Sequence, residues 1–194
     1  IITRFSCELG HPRRNEETPL GNLIADILRD SFGIDLMLMG SGAIRSYSLG
    51  PVVHYADLVE CLPYDDAVYM LKVTGAQLER MLRHILREEA FQGEHTEFYQ
   101  FSHGLRMVWS RSKGEFRELT LDGAPLHPDR LYSVAVQKYH YNNLKDFLNI
   151  SLEEAEQNGK IRVLSTSARD VIEEYLTVNQ HLSRTVEGRL VVEP

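Results

Sequence analysis

Cysteine is scarce in this 194-residue chain: only Cys7 and Cys61 are present. Two thiols are too few for a disulfide framework, which excludes a small bridge-stapled module. They read either as buried thiols or as one bridge, and the redox compartment stays open with them. Long apolar runs are missing too. No stretch approaches the roughly 20 residues that a bilayer-spanning helix needs. The opening residues, "IITRFSCELG", lack the apolar core of a signal peptide and begin without Met. That start is expected of a processed or excised piece of something longer. A basic excess is also absent: 21 Lys and Arg face 28 Asp and Glu, for a net charge of −7. Binding to nucleic-acid polymers or to anionic membranes normally leaves a basic footprint, so both classes are set aside. A local basic pocket for a small anion is not excluded.

What is present is an ordinary globular composition, 43% hydrophobic and 25% charged, in a chain long enough to bury a sizeable core. Thr18-Pro19 reads as the start of a helix, with Thr as cap and Pro at the first position. Leu20, Leu23, Ile24, Ile27 and Leu28 share one face, and Gly33 is the stop. "IDLMLM" (34–39) reads as a buried strand running into the turn "GSGAIR" (40–45). A short strand and a short helix ending before Pro63 follow, then a strand over 67–73. Thr74 and Gln77 form a capping box for a helix carrying Leu78, Met81, Leu82, Ile85 and Leu86.

Residues 89–100 are polar and read as a loop. Strands are expected over 104–109, 115–121 and 131–137, with a hairpin turn at Asp122-Gly123. The aromatic and polar stretch 138–147 carries no clear period. Ser167 caps a last helix, and "GRLVV" reads as a closing strand. Helices and strands interleave and then strands cluster, so the expected class is α+β (mixed α/β): one compact domain over 1–194, a mixed sheet flanked by helices.

The usual catalytic signatures fail one by one. "GSGAIR" begins like a dinucleotide fingerprint, but Arg45 replaces the third glycine, and the Lys-Ser/Thr of a P-loop is missing. Eight scattered histidines show no helical His-x-x-x-His and no tight His/Asp cluster, so no metal site is expected in this chain. Ser41 lacks the Gly-x-Ser-x-Gly elbow, and Cys61 lies in an apolar stretch that favours packing. Asp65 and Asp66, after Pro63, read as a solvated turn. Arg13, Arg14 and Arg45 suit bidentate contact with phosphate or carboxylate, and Tyr64, Tyr139 and Tyr141 are aromatic plates in candidate loops. The residues alone leave two readings: an anion fork with stacking faces, or surface charges and core tyrosines.

The order and spacing of "EETPLGNLIADIL" (16–28), "MGSGAIRS" (39–46), "YADLVECLPYDDAVYMLKVTGAQLERML" (55–82), "FSHGLRMVW" (101–109) and "LDGAPLHPDRLYSVAV" (121–136) resemble one family. The chain is similar to the C-terminal domain of the 5′-nucleotidases. That resemblance implies the recognition half of a hydrolase: the domain binds the nucleoside or phosphate-ester substrate, while a separate N-terminal metallophosphoesterase domain of the same polypeptide holds two divalent metals. Gly-His-x-His and the Asp, His and Asn clusters of that metal domain do not occur here, so no cofactor is expected in this chain and the chain alone is expected to be inactive. The resemblance gives no compartment, though many members act in the periplasm, cell envelope or outside the cell.

Carried over residue by residue, Arg45 and Arg14 correspond to substrate-holding arginines, and Tyr64 and Tyr139 stand where two Phe rings sandwich the base. Gly42 belongs to the glycine turn, and Asn142 matches the Asn that opens the loop after the second aromatic. Two departures stand out. The turn usually opens with Asn, and here it opens with Gly40. The ribose-binding Asp is replaced by Lys145, with Asp146 beside it; a lysine cannot accept hydrogen bonds, which points toward a more anionic or non-nucleoside ester. Other readings are a non-catalytic ligand- or protein-binding module of the same fold, and part of a cyclic-nucleotide phosphodiesterase or related esterase.

Overall fold

Both faces of one sheet are covered, and this explains the apolar run at 36–39. A computed structural model describes residues 1–194. It contains strand β1 (Leu36–Gly40), buried along its whole length. Its side chains alternate between two cores: Leu36 and Leu38 join one cluster of 25 buried residues, Met37 and Met39 another of 23. A strand buried on both faces has no reason to alternate apolar and polar residues.

The sheet has five strands. Besides β1 they are β2 (Val68–Thr74), β3 (Tyr99–Phe101), β6 (Leu131–Gln137) and β7 (Arg162–Ser165), in the order β7-β2-β6-β1-β3. Only β6 and β1 run parallel; the other pairs are antiparallel. A second sheet joins β4 (Leu105–Ser110) to β5 (Glu115–Leu121) antiparallel and to the closing strand β8 (Leu190–Glu193) parallel. The mixed sheets and seven helices match the expected class.

One face of the large sheet is covered by α1 (Pro19–Phe32), α2 (Tyr55–Cys61) and α7 (Ala168–Val178), the other by α3 (Gly75–Ile85) and the second sheet. The helix signals act as read. The Thr18 hydroxyl accepts the Gly21 N–H, and Gly33 ends α1 in the left-handed conformation, φ 63°. Thr74 and Gln77 cap α3 reciprocally. Near the chain end, Asp26 of α1 is sealed against Arg189 and Arg184, at 2.7 and 2.9 Å. The Glu17 carboxylate accepts the N–H groups of residues 187, 188 and 189. The C-terminal segment is thereby fastened to the first helix.

The structure differs from the sequence reading in two places. The expected loop at 89–100 contains a short 3-10 turn (Glu88–Phe91) and leads into β3, whose residues are all buried. Residues 138–165 form α4 (Lys138–Tyr141), α5 (Leu144–Leu148), α6 (Leu152–Asn158) and β7. Neither cysteine is bridged: Cys7 is exposed and Cys61 buried, its thiol pushed up to about 11 by burial. No helix is long and apolar enough to cross a membrane.

Candidate functional site

The "GSGAIR" turn leaves the end of β1 as a 3-10 turn, Ser41–Ala43, and a buried polar web sets its position. His11 bridges the Thr18 hydroxyl at 2.8 Å and the Ser41 carbonyl at 3.1 Å. Burial lowers the His11 pKa, which keeps the ring neutral for that role. Gln100 of β3 donates to the Ser41 hydroxyl and the Glu16 carbonyl and accepts the Thr18 N–H. Gly21 makes room for it, since a Cβ there would lie 2.2 Å from the Gln100 amide oxygen.

The turn delivers Arg45 to the surface, held at its backbone by the Cys61 carbonyl (2.8 Å). Its guanidinium donates to the Gly42 carbonyl at 3.3 Å and lies 6.0 Å from the centre of the Tyr64 ring. Arg14 arrives from the N-terminal side. It donates to the Thr96 carbonyl (3.1 Å), sits 3.8 Å from the Glu97 carboxylate, and packs over Gly42, where a Cβ would come within 3.3 Å of its guanidinium.

The two tyrosines leave the same end of the sheet, where Val68 at the start of β2 pairs with Gln137 at the end of β6. Tyr64 precedes β2 and Tyr139 follows β6, and both rings are largely open, at 67% and 54% exposed. Asp66 ties these segments together. One carboxylate oxygen accepts the Ala67 N–H (3.0 Å) and the other the Tyr139 N–H at the start of α4 (2.8 Å). Asp65 does the same for α7, accepting from the Ser167 hydroxyl and the Arg169 N–H. The acidic pair read as a solvated turn is therefore a double clamp on two helix starts, where anionic groups are favoured.

Arg14, Gly42, Arg45, Tyr64 and Tyr139 line one cavity of about 390 Å³, with Asp66, Glu97, Gln137 and His140. Asn142 is not among its walls: it is exposed, at the end of α4. Lys145 also lies outside, with its ammonium 3.5 Å from the Asn149 side chain. Lys145 therefore adds no cation to the cavity. Gly40 has a steric reason: a Cβ there would lie 2.3 Å from His140 Nε2 and 3.1 Å from the Gln137 amide oxygen. The sequence offered no signal for His140, which is buried between Tyr99 and Tyr139. No three His, Cys, Asp or Glu side chains converge as a metal site.

Residues 4–150 match the family model described as 5′-nucleotidase, C-terminal domain. Among curated proteins, Endonuclease YhcR of Bacillus subtilis is 29% identical over 125 residues, 63% of this chain but 10% of that protein. The 5′-nucleotidase precursor from Thermus thermophilus has the same fold over 100% of this chain and 39% of its own, with a TM-score of 0.79 at 22% identity. The NAD nucleotidase of Haemophilus influenzae is similar over 100% of this chain and 38% of its own, with a TM-score of 0.73 at 14% identity. The chain thus spans well under half the length of each of these relatives. From its matching motifs and its fold, this chain belongs to the 5′-nucleotidase C-terminal domain family.

Proposed function

We propose that this chain is the substrate-recognition part of a 5′-nucleotidase-type metallophosphohydrolase. It holds a nucleoside phosphate ester for hydrolysis by a separate N-terminal metallophosphoesterase domain of the same polypeptide. The observation that carries this reading is the convergence of Arg14, Arg45, Tyr64 and Tyr139, from four separate segments, on one cavity. Arg14 and Arg45 are the bidentate partners of the phosphate. Tyr64 and Tyr139 offer stacking faces to a flat base. The carboxylates of Asp66 and Glu97, in the same wall, are acceptors for sugar hydroxyls in place of the acceptor missing at Lys145.

Two divalent metals in the other domain would supply activated water and stabilise the developing charge. This chain's contribution is binding and orientation, which alone is worth several orders of magnitude in rate. Assaying the purified 194-residue chain for phosphatase activity with added manganese or zinc tests that division of labour. No turnover is expected. Robust turnover abolished by a chelator would overturn it.

A non-catalytic binding module is the second reading, favoured by the position of Lys145 and Asn142 outside the cavity. It gains if nucleotides at millimolar concentration leave the fluorescence of Tyr64 and Tyr139 unchanged.

A further inference from the structure

His140 is 3% exposed, and its ring is held on one side only. Nδ1 lies 2.7 Å from the hydroxyl of Tyr99, itself 1% exposed. That hydroxyl has no other partner, so its proton is satisfied only by donation to Nδ1. Burial holds the Tyr99 pKa well above its usual value, so the phenol keeps that proton. A neutral imidazole accepting at Nδ1 carries its own proton on Nε2.

Nε2 makes no hydrogen bond to the protein, and His140 lines the cavity. Gly40 makes room for the ring, since a Cβ there would lie 2.3 Å from Nε2. The ring is turned 75° from the plane of Tyr139, with centroids 5.3 Å apart. A flat group lying parallel to Tyr139 therefore meets His140 across an edge rather than by stacking.

We propose that the Nε2–H of His140, fixed as a donor by Tyr99, is a specificity-determining group of the cavity. It selects a planar heterocycle that presents a neutral hydrogen-bond acceptor, a ring nitrogen or carbonyl oxygen, on its edge. This rests on the reading of the cavity as a nucleotide site. It assigns the base rather than the phosphate to His140. The imidazole stays neutral because burial depresses its pKa to about 4, and the two arginines already serve the anion.

The test is calorimetric titration of the chain with adenosine, guanosine, cytidine and uridine 5′-monophosphates and with ribose 5-phosphate, which has the sugar and phosphate but no ring. His140→Leu is expected to weaken the tightest of the four nucleotides about tenfold, the size of one hydrogen bond, and to leave ribose 5-phosphate unchanged. His140→Gln, which keeps an N–H donor, should recover part of the loss. Tyr99→Phe keeps both rings but frees the tautomer, and should weaken the same nucleotide several-fold; it also serves if the leucine variant does not fold. Nucleotide binding that survives both His140→Leu and Tyr99→Phe undiminished would overturn the proposal and leave the nucleotide site standing. Failure of every nucleotide to bind the unmodified chain would overturn the site reading itself, and this inference with it.

Discussion

The carboxylate of Asp66 accepts the backbone N–H of Tyr139 at 2.8 Å, joining two residues 73 positions apart. Through this contact the segment carrying Tyr64 fixes the start of the helix carrying Tyr139. Asp66→Ala removes the acceptor for two N–H groups and is expected to cost about 1 kcal/mol of stability. It should weaken nucleotide binding more than Asp65→Ala does, because Asp65 serves α7 instead. Thermal melts and titrations of the two variants check this pair of outcomes.

Gly40 and His140 are expected to be energetically coupled. Gly40→Ala places a methyl 2.3 Å from Nε2, and overpacking of this kind costs about 1–3 kcal/mol. His140→Ala opens the space, so the double variant should be less destabilised than the sum of the singles. A double-mutant cycle in urea measures the coupling; strict additivity would contradict the packing described.

Much of this was legible in the sequence. Caps at Thr18 and Thr74, the stop at Gly33 and the doubly buried "IDLMLM" strand are local signals, written within a few residues of where they act. β3 was hidden because Gln100, polar in composition, is satisfied by Glu16, Thr18 and Ser41, far away in the chain. The same holds at the cavity. Arg45 and the tyrosines could be named from motifs, but the roles of Asp66 and His140 depend on partners 73 and 41 residues distant. Asn142 was placed by its position in the motif, yet the turn of α4 carries it away from the cavity.

Acid should destabilise the fold through His140. Burial lowers its pKa from 6.5 to about 4, so between those values the unfolded chain takes up a proton that the folded chain refuses. The stability conferred by a neutral His140 is complete above pH 6.5 and is lost as pH falls, by ~3 kcal/mol at pH 4. His11 and His84 shift in the same direction. The informative comparison is therefore with His140→Gln, whose stability should fall less steeply over that window in denaturant titrations.

The C-terminal clasp is a buried charge pair. Burial pushes the Asp26 carboxyl up, but hydrogen bonds from Arg189 and Arg184 outweigh it and hold the pKa below its usual value. Arg189→Leu leaves that carboxylate short of its main partner and is expected to cost about 3–5 kcal/mol. Adding Asp26→Leu should restore part of the loss, as read from denaturant midpoints.

The central claim is that Arg45, Tyr64 and Tyr139 serve one ligand. It is tested most directly by the dissociation constant of adenosine 5′-monophosphate for the unmodified chain and for Tyr139→Ala. Tyr139 is half open to solvent, so the substitution should leave thermal stability nearly unchanged. Saturable binding weakened about tenfold or more in the variant is the expected result. Equal affinity in the two proteins would contradict it.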